Sequence, residues 1–324
     1  MEQSTQHNNV AIIIVNYNAG ELLAGNLQQI LESVSGQLAV HIFIVDNLST
    51  DVSRQILSAK LQETGLSNHV TLIEAERNGG FAYGNNLGIK AALASAFKPD
   101  YFYLLNPDAV PENSAIDETI KLAKNKFEYC IVGSQMLDEA GNKAASAFRF
   151  PSVVSEFNRG ANIGLVTRLF PSASLVLPTN ESTVVCDWVC GAGFLIPMKT
   201  YEKLGSMDEQ YFLYYEEVDY MKRASEKAIP VLVSTQSRVV HIAGVSTGIV
   251  GSKVEKSSIP IYWYQSWHRF YFKNHSKSKA FMCGIAWIAG RIFNNMLSFF
   301  IKKRKPKDGH SIARFWTYAI LGNK

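Results

Sequence analysis

The chain has 324 residues, 47% hydrophobic and 19% charged, a balance that excludes a disordered, collagen-like or low-complexity polymer and allows one large α/β domain with a smaller appendage. Four cysteines (Cys130, Cys186, Cys190 and Cys283) are too few for a disulfide scaffold, and Cys186 and Cys190 lack the partners of a structural zinc site, so reduced thiols are expected. The net charge of +4 hides a segregation: residues 251–324 hold 14 Lys and Arg against 2 Asp and Glu, leaving 18 against 26 elsewhere, and a basic end on an acidic body suits an anionic surface.

Residues 1–9 read as a polar tail without the apolar core of a signal peptide, so the chain is expected to stay inside the cell. Residues 10–15 form a continuous apolar run, expected as a buried parallel strand that opens into a loop at Asn16-Tyr17-Asn18. Helical spacing follows over 21–31, and residues 41–45 give a second strand ending in Asp46-Asn47. Ser49, Thr50 and Asp51 supply capping residues for a helix over about 52–63. A short strand at 70–73, a helix over 82–97 and a strand at 101–105 complete an alternation that predicts a parallel sheet with right-handed crossovers. Residues 137–185 read as irregular, with a hairpin turn at Gly141-Asn142 and interruptions at Pro151, Pro171 and Pro178. Order returns at 188–197, in a helix over 214–227, and in strands at 231–233 and 239–241.

Ligands of open parallel sheets sit beyond the carboxyl ends of the strands. Those ends carry Asn16 and Asn18, Asp46 and Asn47, Arg77 and Asn78, and Asn106 and Asp108. Any one of them serves equally as a turn or cap; four in phase at one rim point to a ligand. No G-x-G-x-x-G follows a strand and no G-x-x-x-x-G-K-[ST] occurs, which argues against a dinucleotide site or a P-loop.

In the tail, residues 280–301 are long enough to span a bilayer but contain Arg291, Asn294 and Asn295. With Ser298 these make one narrow polar stripe, so an amphipathic helix in the membrane plane is expected rather than a span. A basic run at 302–307 suits anionic headgroups, and Tyr262, Trp263, Tyr264, Trp267, Phe270, Tyr271 and Phe272 suit an interface. The alternative is a helical subdomain with a homodimer face. Nucleic-acid binding is not expected, because the basic cluster adjoins an apolar helix.

The strand-end series Val15-Asn16-Tyr17-Asn18, Asp46-Asn47-x-Ser49-Thr50-Asp51, Asn78-x-Gly80-Phe81-Ala82-x-Gly84-Asn85-Asn86 and Leu104-Leu105-Asn106-Pro107-Asp108-Ala109 resembles the inverting family 2 glycosyltransferases of GT-A fold. So do Trp188-x-x-Gly191-Ala192, Met207-Asp208-Glu209-x-Tyr211-Phe212 and Tyr215-Glu216-Glu217-Val218-Asp219, in the expected order over residues 10–245. The Asn-Pro-Asp form of the acidic motif is most similar to the bacterial rhamnosyltransferase branch.

The resemblance implies a Rossmann-like, mostly parallel GT-A sheet over 10–250, split into a nucleotide-sugar half (10–136) and an acceptor and catalytic half (137–250), with a membrane-associating helical region over 251–324. It implies that Asn16, Asn18, Asp46 and Asn47 hold the nucleoside, and that Arg77, Asn78 and Gly80 approach the donor closely. Asp108 matches the last acid of the Asp-x-Asp metal motif, with Asn106 in place of the first. His241 matches a histidine that completes the metal site, which holds Mg2+ or Mn2+; an imidazole ligand favours Mn2+. Trp188 and Gly191 match a wall of the active site. Glu216 matches the family's Glu, and Glu217 its catalytic Asp with one extra methylene; Asp219 stands near them on the acceptor side. At a reference pKa near 4.3, Glu217 would be ionised at neutral pH without special tuning. The implied donor is dTDP-L-rhamnose and the acceptor a lipid-linked saccharide of surface polysaccharide synthesis of the O-antigen type, at the cytoplasmic face of the bacterial inner membrane. UDP-galactose or UDP-GlcNAc as donor, and a non-catalytic scaffold of the same fold, are the alternatives.

Overall fold

A computed structural model describes residues 8–162, 171–242, 259–300 and 309–323. Its first half is β1 (Asn8–Asn16), α1 (Gly20–Glu32), β2 (Leu38–Asp46), α2 (Ser53–Thr64), β3 (Val70–Glu74), α3 (Gly80–Ala94) and β4 (Tyr101–Leu105). All four strands pair in parallel, in the order β3-β2-β1-β4. The reason lies in β1: Val10, Ile12 and Ile14 point into one apolar core and Ala11 and Ile13 into another. A strand dry on both faces reads as an unbroken apolar run. Helix α2 begins at Ser53 without a side-chain N-cap. Ser49 and Thr50, expected to cap it, bond instead to Asp46 and Asn18, and Asp51 Oδ1 accepts from Ser53 N–H at 2.9 Å.

The chain continues through β5 (Ala109–Pro111), α4 (Ala115–Lys126), β6 (Ile131–Leu137), β7 (Ala147–Phe148), α5 (Val153–Ala161), β8 (Val176–Leu177), β9 (Thr183–Cys186), β10 (Trp188–Val189) and β11 (Gly193–Pro197). Then come α6 (Met198–Leu204), α7 (Glu216–Glu226), β12 (Val231–His241), α8 (Ile261–Asn274) and α9 (Lys277–Phe300). Strand β11 runs antiparallel between β4 and β6, and β12 extends the sheet beside β6 with β5 at its far edge. The two strands expected at 231–233 and 239–241 are one, β12, with a register shift between Ser234 and Arg238. The segment read as irregular contains α5, announced by Ser152 and Ser155, which cap each other reciprocally.

Helices α8 and α9 share a third apolar core with the segment before α7: Tyr211, Tyr215 and Val218 pack with Trp267, Phe270, Tyr271, Trp287 and Phe315. Helix α9 lies against α5 at two glycines. A Cβ on Gly160 would stand 2.0 Å from the Trp287 carbonyl oxygen, and one on Gly290 2.1 Å from that of Phe157.

Of the polar stripe of α9, Arg291 and Asn294 are turned away from water, while Asn295 is exposed and Ser298 half-buried. Arg291 is 5% exposed and donates to the His310 carbonyl at 3.1 Å, and Asn294 is 3% exposed. The exposed face is mainly apolar, through Phe281, Met282, Ile285, Ile292, Phe293 and Met296, with Trp316 alongside. Among the described residues no helix is long and apolar enough to cross a membrane.

Candidate active site

The carboxyl ends of β1, β2 and β4 open onto a cleft of about 670 Å³. Asn47, Asn78, Gly80, Asn106, Asp108, Gly191, Glu216, Glu217 and His241 all border it, so nine expected site residues from six stretches of chain meet in one place. Asn47 Nδ2 donates to Asn78 Oδ1 at 3.0 Å and to the Gly80 carbonyl at 3.1 Å, fixing the loop before α3. Gly80 has φ 82°, and a Cβ there would stand 1.7 Å from the Phe212 carbonyl oxygen. That oxygen accepts from the Phe81 N–H at 3.0 Å, so only glycine lets the two halves of the cleft close on each other.

Asn16, Asn18 and Asp46 lie behind this rim rather than on it. Asp46, 4% exposed, accepts from Asn16 Nδ2 (2.9 Å), Ser49 Oγ (2.6 Å) and Ser49 N–H (3.1 Å). Asn18, at φ 54°, accepts from Thr50 N–H at 2.8 Å. The three tie the loop after β1 to the loop after β2, and Tyr17 and Asn47 are the neighbours that reach the cleft. Arg77 points away: it lies 4.7 Å over the Tyr83 ring and 3.7 Å from Glu209.

The pairing of β5 with β12 sets His241 opposite Ala109, which brings His241 Nε2 to 3.2 Å from Asp108 Oδ1. No hydrogen bond joins them: Asp108 Oδ1 is buried without a donor, and the same Nε2 lies 3.4 Å from Asn106 Nδ2, which can only donate. With Nε2 accepting from Asn106, two acceptor atoms face each other at the wall of the cleft, an arrangement a cation would relieve. Neighbouring ligands of an octahedral ion with bonds of about 2.1 Å stand roughly 3.0 Å apart, so the pair fits Mg2+ or Mn2+. Among the described residues no third His, Cys, Asp or Glu joins them.

A pair of acids at the start of α7 also borders the cleft. Tyr214 and Tyr215 precede it in the left-handed region, at φ 72° and 69°, and this is why the helix expected from 214 begins at Glu216. Such a conformation costs about 1–3 kcal/mol per residue and is held by packing of Tyr215 on Phe270 and Tyr271 and of Tyr214 on Tyr262. Glu216 is 4% exposed, and one oxygen of each Glu is buried without a partner. Burial, then the charge of Glu217, hold Glu216 well above the usual carboxylate range. Burial pushes Glu217 up to about 7, against the lowering pull of backbone N–H groups at the helix start. The Glu217 carboxylate therefore does not keep its reference pKa, and the two acids titrate as a pair. Gly191 faces it, with room for a Cβ to stand 3.8 Å from the carboxyl group.

Asp219, one turn on, does not reach the cleft. It is fully buried and accepts from Tyr211 Oη (3.0 Å), Lys273 Nζ (2.8 Å) and Asn274 Nδ2 (2.9 Å), with Arg223 Nε at 3.6 Å. Lys273 also binds Asp208, together with Arg269. Asp219 thus bolts α7 to α8. Trp188 is also set back: its ring stacks on Phe148 at 4.0 Å and its Nε1 donates to the Arg149 carbonyl at 2.9 Å. Lining residues outside the expected set include the aromatic residues Tyr17, Phe81, Phe212, Tyr214 and Tyr262. Phe212 ends the Met207-Asp208-Glu209-x-Tyr211-Phe212 motif, and Tyr262 heads the aromatic run of residues 262–272 that suits an interface.

Residues 11–170 match the family model described as Glycosyl transferase family 2. The chain is 26% identical over 232 residues to a low-salt glycan biosynthesis hexosyltransferase of Haloferax volcanii, covering 71% of this chain and 66% of that protein. It is 25% identical over 167 residues to a rhamnosyltransferase of Escherichia coli, covering 51% of this chain and 61% of that one. The matched stretch spans slightly less than two thirds of either relative. In fold the chain is similar to a mannosyltransferase of Pyrobaculum calidifontis solved with GDP-Man and Mn2+, with a TM-score of 0.55 and 14% identity over 93% of this chain and 77% of that one.

Proposed function

The chain carries a glycosyl transferase family 2 domain on a GT-A-like fold, and from that premise we propose that it transfers a sugar, with inversion and with the help of a divalent cation, from a nucleotide donor to a lipid-linked saccharide. L-rhamnose from dTDP-L-rhamnose is the donor this reading favours, supported by the Asn106-Pro107-Asp108 motif and by the name of the E. coli relative. The observation that carries it is the meeting of two chemistries in one cleft: the Asp108–His241 pair, whose Asp108 Oδ1 lacks a donor, and the Glu216–Glu217 pair.

Asp108 and His241 would hold the cation, whose charge stabilises the departing diphosphate. Asn47, Asn78 and the backbone around Gly80 shape the donor wall, kept in register by the Asn16–Asp46–Ser49 bonds behind it. Glu217 takes the proton of the attacking hydroxyl, and its raised affinity for a proton suits that task near neutral pH. Burial and the charge of Glu217 raise Glu216, and of the two we assign the ionising role to Glu217.

The same reading puts α9 on the cytoplasmic face of the bacterial inner membrane as a peripheral contact. Its exposed stripe from Phe281 to Met296 is apolar, Lys277 and Lys279 stand exposed at one end, and residues 302–307 of the sequence hold five basic residues at the other. Acidic headgroups complement such a surface, whereas a second copy would oppose like charges.

Calorimetry of the full chain against dTDP-L-rhamnose, UDP-galactose and UDP-GlcNAc, with and without Mn2+, tests the donor and metal assignments. Binding of dTDP-L-rhamnose that needs Mn2+, and that Asp108→Ala abolishes, is the expected result. Preference for a UDP-sugar refutes the rhamnose donor, and failure to bind any of the three refutes the catalytic reading.

A further inference from the structure

We propose that Phe212, Tyr214 and Tyr262 form the subsite on which the ring of the acceptor saccharide stacks, with Tyr262, supplied by the C-terminal helix α8, as its floor. The inference rests on the glycosyltransferase reading above and names the residues that receive the second substrate. Three aromatic rings meet at the edge of the cleft next to the acid pair. Tyr262 lies 5.2 Å from Phe212 and 6.1 Å from Tyr214, the latter nearly parallel at 22°. Phe212 is 37% exposed, and Tyr214 and Tyr262 are only partly buried. Phe212 and Tyr262 lie outside the third core, and Tyr214 packs only at its edge.

A pyranose has an apolar face of axial C–H groups and a polar rim of hydroxyls. It binds where an aromatic surface adjoins hydrogen-bonding groups, the face on the ring and the rim on the polar side chains. This wall meets that description. The charges of the Glu216 and Glu217 pair, after burial and the neighbouring Tyr262 hydroxyl, push Tyr214 up to about 12, so its hydroxyl stands among the acids. An attacking hydroxyl must come within about 2.6–3.2 Å of Glu217, and a pyranose is only about 5 Å across, so its ring has to lie within a few ångströms of that carboxylate. Of the rings bordering the cleft, Tyr214 feels the charges of both acids, and Tyr262 joins it to Phe212. This leaves the nucleobase to the part of the cleft lined by Val15 at the end of β1, Tyr17 just after it, and Asn47. The backbone supports the same purpose: two consecutive left-handed tyrosines are costly, and they turn Tyr214 toward the cleft and Tyr215 into the core.

Tyr262 also connects the two halves of a lipid-linked acceptor. The next residue, Trp263, packs 4.6 Å from His310, which lies 5.5 Å from Trp287 of α9. The saccharide subsite and the helix with the exposed apolar face thus belong to one packed unit.

The test uses the full chain with donor nucleotide and Mn2+ present, and octyl glycosides of N-acetylglucosamine, galactose and rhamnose as acceptor probes. Saturation-transfer NMR reports which sugar face touches protein, transfer kinetics give the acceptor KM, and calorimetry gives the affinity for donor nucleotide. At least one glycoside should receive saturation on its axial C–H face. Tyr262→Ala should raise its KM between about threefold and tenfold with donor affinity unchanged, and Tyr262→Phe and Tyr262→Trp should restore the wild-type KM. Phe212→Ala, on an exposed ring, should act in the same direction and serves if Tyr262→Ala folds poorly. The proposal is overturned if no glycoside receives saturation, if neither alanine variant moves the acceptor KM, or if the loss falls on donor affinity, which would assign the wall to the nucleobase. A wild-type chain that binds no nucleotide sugar defeats the glycosyltransferase reading instead, and calorimetry alone shows that.

Discussion

Replacing Glu217 by Gln removes a base while leaving its shape. The amide fills the same space opposite Gly191 and leaves Asp108 and His241, which pair with each other on other elements, untouched. Donor binding should therefore survive. Transfer should fall by about 10²–10⁴-fold, or roughly 3–5 kcal/mol of barrier, the usual contribution of a positioned base. The wild-type pH profile gives a second, independent reading. With the Glu217 carboxyl raised to about 7, the base is about one-tenth ionised at pH 6 and about nine-tenths at pH 8, so kcat/KM should rise about tenfold across that interval. In the Gln variant this limb should vanish. Stability moves the other way. A carboxyl whose folded pKa lies above its unfolded value of 4.5 binds its proton more tightly when folded, so stability falls as pH rises through the interval from 4.5 to 7. Glu217→Gln should accordingly be more resistant to heat than wild type at pH 8, with the difference gone below about pH 4. The assay couples nucleotide release to octyl-glycoside acceptors between pH 5.5 and 8.5, with calorimetry for donor affinity. Wild-type turnover by the Gln variant, or a pH limb that persists in it, refutes Glu217 as the base.

Asp219→Asn should retain the base and lose its mooring: a fully buried carboxylate that binds Lys273, Tyr211 and Asn274 is worth about 3 kcal/mol, the low end of the usual range because Lys273 is a third exposed. Denaturant unfolding measures it, and an unchanged midpoint would refute the bolting role. On α9, Ile285→Glu with Phe293→Glu sets two carboxylates into the exposed apolar stripe. Co-sedimentation with phosphatidylglycerol vesicles should drop by at least roughly tenfold while donor binding persists, and undiminished sedimentation would exclude this face as the lipid contact.

What could be read from the sequence follows from where the energy of each element comes. Strands β1, β2 and β4 were legible because a strand buried on both faces is a run of apolar residues that stops at polar turn residues, a signal contained within about eight positions. The rim was legible for the same reason, since a parallel sheet presents all such stops on one side. Harder cases depend on partners far along the chain. Residues Glu216, Glu217 and Asp219 look alike within one turn of helix; Lys273 and Asn274, more than fifty residues later, separate a bolt from a base. The pKa of Glu217 cannot be read from its neighbours in sequence, because burial within the assembled cleft sets it. Helix α5 lay hidden among prolines, although Ser152 and Ser155 announced its start.

Helix α9 shows the limit of periodicity most clearly. Spacing finds that Arg291, Asn294, Asn295 and Ser298 share one face, yet a period is blind to which face meets water. Here the interior has something polar to offer: the His310 carbonyl receives Arg291, and Gly160 and Gly290 let α5 approach so closely that small and polar residues fill the seam better than large apolar ones. The displaced apolar residues are left outside, where a surface of six large side chains is unusual for a protein that meets only water. The same C-terminal helices give Lys273 to Asp219 and Tyr262 to the cleft. A segment whose basic charge first reads as a detachable tail therefore carries structural and cleft-lining residues of the site. Removing it would strip the third core from beneath α7 rather than simply release the protein from a membrane, and for that reason point substitutions on the outer face of α9, rather than truncation, are the perturbation that separates attachment from catalysis.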